Sequence, residues 1–352
     1  GETEARRVKQ PGSPLHAGLG LARLAGEPEA GAETASDIPQ PAAGQTRSQG
    51  TVIEVSTGLC RVRLAAPEAE ERVLLCSLRP SLRTPHSGFS NIVAAGDEVV
   101  VSHNGHGRGI VDAVLPRRSA LARPDVFYKH LQQVIVANVD QLLVVASWRD
   151  PNFWPELVDR YLLAAVRNNL APLVCINKVD LAEDPAPLDE TARALRRAGY
   201  RVILTSAVTG AGLAELRDVL RGKTTALAGL SGVGKSSLLS AAEPGLSLKV
   251  GEVNEHQHMG RHTTTQVSLH GLAAGGFVAD TPGIREMGLA GLRQADLGQL
   301  YAEFAPFAAR CEYANCSHTR EPGCAVKQAV RRGELYLMRY DSYRKIWADL
   351  PA

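Results

Sequence analysis

The 352-residue sequence has no apolar run near the roughly 18 residues that a bilayer-crossing helix needs, so no such helix is expected. Its first fifty residues lack the apolar stretch of a secretory leader. They carry Glu2, Glu4, Glu27, Glu29, Glu33 and Asp37, unlike an acid-poor transit peptide. Neither sign of charge dominates. Lys and Arg number 39 and Asp and Glu 37, leaving +2, which excludes a wholly basic nucleic-acid coat but allows a local basic face. No C-x-x-C redox pair occurs, and the six cysteines are not spaced as a disulfide framework. Cys60, Cys76 and Cys175 sit in apolar runs and read as buried small hydrophobes. Cys311, Cys316 and Cys324 cluster beside His318, which suits a metal site in a reducing compartment and a cytoplasmic protein. The 44% of apolar residues is ample for packed cores, so global disorder is excluded.

The chain reads as multidomain. Residues 1–49 are rich in Gly, Ala, Pro and Gln without sustained periodicity, and are expected to form a disordered extension. Residues 50–118 hold five short runs, TVIEV, LCRVRL, RVLLCSL, DEVVVS and GIVDAVL. Punctuated by Gly, Pro, Asn and Asp, they suggest a small β-barrel of OB-fold type. Such barrels often hold nucleic acid, although a protein-binding or purely structural role is equally open. Residues 119–290 alternate strand and helix patterns, with QLLVVAS, PLVCINK, RVILTSA and TALAGLS as compact apolar strands. That is the pattern of βαβ units around a parallel sheet covered on both faces. Residues 291–352 read as mainly helical, broken by the Cys/His cluster, with YLMRYDSYRKIWADL as a terminal helix.

The strongest local signal is a phosphate-binding loop, G-x-x-x-x-G-K-S, running from Gly229 through Ser231, Gly232, Val233, Gly234, Lys235 and Ser236 to Ser237. It follows a strand and opens a helix. Its glycines allow close backbone approach, and its N–H groups with the helix N-terminus suit phosphates. Lys235 is expected to reach the β- and γ-phosphates, a catalytic role, and Ser236 to ligate Mg²⁺. Asn177-Lys178-Val179-Asp180 ends another strand and selects the base. The Asp180 carboxylate can accept from guanine N1–H and N2–H₂, a donor pair that adenine lacks, and the buried carboxylate left unpaired by adenine is costly. The Lys178 stem can lie over the base, and Asn177 can tie its loop to the phosphate loop. Ser206 and Ala207 end the next strand, where backbone N–H groups could meet guanine O6. Asp280-Thr281-Pro282-Gly283 supplies Asp280 for a Mg²⁺-bound water and the Gly283 N–H for the γ-phosphate. Between these motifs lies Gly260-Arg261-His262-Thr263-Thr264-Thr265, where Thr264 is favoured as the second Mg²⁺ ligand.

Ordinary GTPases place the phosphate loop first and the base-reading motifs last. Here NKVD and TSA precede GLSGVGKSS, RHTTT and DTPG. The permuted order resembles the circularly permuted GTPases, and closely the ribosome small-subunit-dependent GTPase A family. The resemblance runs over residues 50–350, through barrel, GTPase domain and cysteine cluster. The residue after the DTPG glycine is Ile284, which cannot orient water. His262 is a titratable candidate for that work, and the resemblance implies a catalytic His in RHTTT. Alternatively, His262 is only an exposed loop residue and Arg261 stabilises developing charge.

Cys311, Cys316, His318 and Cys324 offer three thiolates and an imidazole, a closed tetrahedral set for one structural Zn²⁺. The resemblance assigns zinc to the same four positions. It also implies late maturation of the small ribosomal subunit, with that subunit, its rRNA and GTP or GDP as partners. Arg117, Arg118, Arg123, Lys129 and His130, and then Arg331, Arg332, Arg339, Arg344 and Lys345, are candidate phosphate contacts or a solvated charged face. Nothing suggests an obligate oligomer, and a monomer is expected. A scaffold that keeps GTP as a structural ligand is the competing reading. A metal-delivery GTPase is disfavoured by the closed ligand set, and a small-molecule kinase by NKVD.

Overall fold

The computed structural model describes residues 44–65, 73–82, 88–125, 128, 130–246, 267–280, 289 and 292–351. The first of these, through Val114, supply a closed barrel. Strands β1 (Thr46–Ser56), β2 (Leu59–Leu64), β3 (Val73–Leu78), β4 (Glu98–His103) and β5 (Arg108–Val114) follow the order β1-β2-β3-β5-β4. β1 pairs antiparallel with both β2 and β4, and β3 runs parallel to β5. Alternation decides which side faces in: Cys60, Val62 and Leu64 of β2 are buried, with Val52, Leu74, Cys76, Val99, Val101 and Val111 around them. The barrel starts earlier than the pattern predicts. Thr46–Gln49, expected in the extension, form a ladder with β4 from His103 to Val100. Those residues contain nothing apolar, so periodicity cannot reveal them. Their backbone groups complete the closure.

Next comes a ribbon, β6 (Ala120–Pro124) paired antiparallel with β7 (Gln132–Ala137). The expected alternation of strand and helix over 119–290 does not set this ribbon apart from the parallel sheet. Only three residues separate β7 from the next strand, far short of the dozen or so that a parallel crossover needs, so β7 turns back onto β6 instead. Arg117, a candidate phosphate contact, is buried beside this ribbon. Its Nε and Nη2 donate to the Asp97 carboxylate at 2.7 and 2.8 Å. A guanidinium so paired is not offered to RNA.

The central sheet comprises β8 (Gln141–Ser147), β9 (Ala171–Asn177), β10 (Arg201–Leu204), β11 (Lys223–Ala228), β12 (Leu269–Gly271) and β13 (Gly276–Asp280). Their order is β10-β9-β8-β11-β13-β12, all parallel except β12. Helices cover both faces. Leu142, Val144 and Ala146 pack with α1 (Pro155–Arg167) and α2 (Pro185–Arg197), whereas Leu143 and Val145 pack with α3 (Leu213–Leu220) and α4 (Lys235–Ala242). β8 is therefore buried along its full length, as a central parallel strand must be. The barrel docks on the far edge, where Glu54 bridges to Ser268 and Arg63 lies 5.7 Å from the Phe277 ring centroid.

The C-terminal region is helical: α5 (Gln294–Leu300), α6 (Ala305–Ala308), α7 (Ala325–Arg331) and α8 (Leu337–Asp349). Its core of Leu297, Tyr301, Phe304, Val326, Tyr343 and Ile346 also takes in Leu163 of α1. Arg339, another candidate phosphate contact, is 3% exposed and holds α8 to α1. It pairs with Asp159 and with Glu303 (2.7 Å), under the ring of Tyr301, whose hydroxyl donates to Asp159 at 3.2 Å. Arg331, Arg332, Arg344 and Lys345 are exposed. So are Arg118 and His130, whereas Lys129 and the Arg123 side chain lie outside the described residues. Among the described residues, no helix is long and apolar enough to cross a membrane.

Candidate nucleotide site and metal centre

The chain lays down β8, β9 and β10 in one direction and then returns to place β11 on the other side of β8. Ligands of open α/β sheets bind at such a reversal, outside the carboxyl ends of the strands. The phosphate loop leaves β11 at that point and feeds α4. Gly229, at φ 148°, has no room for a side chain: a Cβ would collide with the Val145 carbonyl of β8. Gly234 caps α4 at φ 88°, and a Cβ there would sit 2.6 Å from Asn177 Nδ2. Gly232 and Ser231 are exposed at the loop's tip and Val233 is buried beneath it. The Lys235 ammonium turns back into the loop, donating to the Gly229 and Leu230 carbonyls at 3.1 and 2.9 Å. Ser236 is half-buried in the first turn of α4, and Ser237 is exposed.

Asn177 ends β9 with 1% exposure. Its Nδ2 donates to the Val233 carbonyl at 3.0 Å, so motifs 56 residues apart meet in one bond. Lys178 follows with φ 60°, its ammonium donating to the Asp150 carbonyl. Asp180 lies in the 3₁₀ turn Val179–Leu181 and is exposed, free to receive a base edge. Thr205 and Ser206 are fully buried next door. Thr205 Oγ1 donates to Asn177 Oδ1 at 3.3 Å, and Ser206 Oγ accepts from the Val208 and Thr209 N–H groups at 3.2 and 3.1 Å. Ala207 is half-buried at the turn's mouth. β13 ends at Asp280, paired in register with Leu227 of β11. Four of the five expected segments thus issue from neighbouring strand ends. His262, Thr264 and Gly283 lie outside the described residues. The part no motif marked is the turn between β8 and α1, whose Asp150 carbonyl meets Lys178. Read alone, WRDPNFW matches none of the nucleotide-binding motifs.

The second site is built by one irregular loop. The ligand atoms of Cys311, Cys316, His318 and Cys324 all lie within 4.8 Å of one another. Cys311 Sγ is 3.9 Å from Cys324 Sγ and 3.6 Å from His318 Nδ1, and Cys324 Sγ is 3.5 Å from the same nitrogen. Tetrahedral zinc with ordinary bond lengths requires about 3.8 Å between sulfurs and about 3.6 Å between sulfur and nitrogen. The donor set therefore fits zinc in chemistry and in spacing. His318 adopts φ 59° to aim its ring, and α8 supports the loop: the Tyr340 and Tyr343 hydroxyls donate to the His318 and Ser317 carbonyls at 2.8 and 2.6 Å. Burial pushes the Cys316 thiol up to about 12, so a bound cation is what would draw it into its thiolate form.

Comparisons with known proteins agree with this geometry. The model of the family described as RsgA GTPase matches residues 114–290. The chain is 39% identical over 308 residues to a small ribosomal subunit biogenesis GTPase RsgA of Gemmatimonas aurantiaca, covering 87% of this chain and 98% of that protein. It is 39% identical over 286 residues to the protein of that name from Moorella thermoacetica, covering 81% and 93%. Among solved structures, YjeQ from Thermotoga maritima superposes with a TM-score of 0.67 at 33% identity, covering 87% of this chain and 99% of that one. YloQ, described as a circularly permuted GTPase, gives 0.64 at 29% identity, covering 88% and 97%. With its barrel, its permuted sheet and its Cys/His loop, the chain belongs to the RsgA GTPase family.

Proposed function

We propose that the protein hydrolyses GTP and serves late in small ribosomal subunit (30S) biogenesis, binding the subunit and its rRNA in a nucleotide-dependent way, in the cytoplasm, with turnover stimulated by the subunit. The observation that carries this reading is the bond from Asn177 to Val233, which joins the NKVD loop to the phosphate loop. The names of the relatives support the ribosomal part.

In this reading Asp180 accepts from the guanine edge, Lys178 lies on its face, and Ser206 and Ala207 bound it near O6. The backbone from Gly229 to Ser237 cradles the phosphates, and Lys235 exchanges its loop carbonyls for phosphate oxygens. Ser236 and Thr264 hold Mg²⁺, which when bound neutralises charge building on the phosphates. Asp280 holds a Mg²⁺-bound water, and the Gly283 N–H contacts the γ-phosphate. His262 positions or activates the attacking water, because Ile284 has no group to do so. Cys311, Cys316, His318 and Cys324 hold one structural Zn²⁺.

The basic surface left exposed by Arg331, Arg332, Arg344 and Lys345 suits rRNA phosphates. The test is subunit affinity with a non-hydrolysable GTP analogue against GDP. The analogue should bind the subunit complex at least about tenfold more tightly, and equal affinities would mean that the nucleotide does not govern binding.

A further inference from the structure

Between β8 and α1 the chain crosses the carboxyl edge of the sheet at the topological reversal. The base-reading loop lies on one side and the phosphate loop on the other. Ser147 and Asn177 are register partners at the ends of β8 and β9. The Trp148 N–H donates to the Asn177 carbonyl at 2.8 Å. The Ser147 hydroxyl, on a residue 1% exposed, donates to the Pro151 carbonyl at 2.5 Å and closes the turn. One residue earlier, the Asp150 carbonyl accepts the Lys178 ammonium. On the opposite side, Pro151 Cδ lies 3.7 Å from the point where a Cβ on Gly232 would sit. A free lysine samples many rotamers, and fixing it on binding costs affinity. Here the side chain is tethered at both ends: its backbone is held at φ 60° and its tip rests on a carbonyl.

We infer that Ser147 is a positioning residue for guanine recognition. By closing the 148–154 turn it fixes the Asp150 carbonyl, which extends Lys178 as a ready platform for the face of the base. Ser147 itself touches no nucleotide. The inference rests on the guanine pocket proposed above and adds to it a fixed floor for the base, separate from the edge contacts of Asp180. A floor reads the ring and not its substituents, so its loss weakens guanine and hypoxanthine nucleotides alike.

The test is calorimetry on the full chain with GDP and IDP, for wild type, Ser147→Ala, Lys178→Ala and the double variant. Ser147→Ala should weaken GDP binding by about 3- to 10-fold, the range of one lost hydrogen bond, and IDP by the same factor. In the Lys178→Ala background the same change should cost less than about twofold, because its effect runs through that lysine. An equal cost in both backgrounds, or no cost in either, overturns the inference. So does a GDP loss well above the IDP loss, which would put the hydroxyl's effect on the base edge. Pro151→Ala keeps every hydrogen-bonding group while freeing the turn, and serves as a second probe should Ser147→Ala not fold; its coupling to Lys178 is expected and its absence counts equally against. Wild type that fails to bind GDP at all would instead remove the guanine pocket itself.

Discussion

Gly229 and Gly234 show why the nucleotide site needs residues without side chains: one abuts the Val145 carbonyl and the other the Asn177 amide. Chemistry this demanding leaves a sequence trace, since few residue types satisfy it at fixed spacing. The phosphate loop, NKVD and the Cys₃His set were all legible for that reason. Arg117 and Arg339 were not. A positive charge says nothing about its partner, and Asp97 and Asp159 lie 20 and 180 residues away from them. At this scale Asp180 is the sharpest probe. Asp180→Asn should weaken GDP by about 100-fold, as two charge-assisted hydrogen bonds are lost, and should raise affinity for XDP, whose second carbonyl meets the new amide donor. Nucleotide competition measures both. Retained GDP preference would mean that Asp180 does not read the base.

Among the elements, the seam between α1 and α8 couples the GTPase sheet to the region of the Cys/His loop. Asp159 and Arg339 are buried there at 2% and 3% side-chain exposure, with Glu303 completing the cluster. Truncating one member strands a buried charge. Arg339→Met should therefore destabilise the protein by about 3–5 kcal/mol in urea unfolding, and adding Asp159→Asn should recover part of that loss instead of adding to it. Additive losses would show that the pair does not act as a unit. Element existence was well marked by periodicity: the five barrel runs, the four compact sheet strands and the helices between them all form where the pattern puts them. The exceptions have physical causes. Thr46–Gln49 belong to a strand through backbone pairing alone, and the β6–β7 ribbon, too close to β8 for a parallel crossover, lies inside the span expected to alternate strand and helix.

Across the whole molecule, the metal loop sits on a separate core from those flanking the sheet. Chelation should remove one equivalent of zinc and lower the melting temperature. It should abolish tight tertiary packing in the C-terminal region, as near-ultraviolet circular dichroism of its tyrosines would record. GDP affinity should change by less than about threefold, because none of the residues proposed to contact the nucleotide belongs to that core. A protein without stoichiometric zinc whose spectrum is indifferent to chelator would contradict the metal assignment. The central claim is broader: permuted segments form one guanine pocket whose turnover answers to the small ribosomal subunit. Phosphate release from GTP, measured alone, with small subunits and with large subunits, tests it most directly. The account predicts slow release alone, at least about tenfold faster release with small subunits only, no comparable release from ATP, and loss of the stimulated rate in His262→Ala. Equal rates under all three conditions, or ATP consumed as readily as GTP, would contradict it.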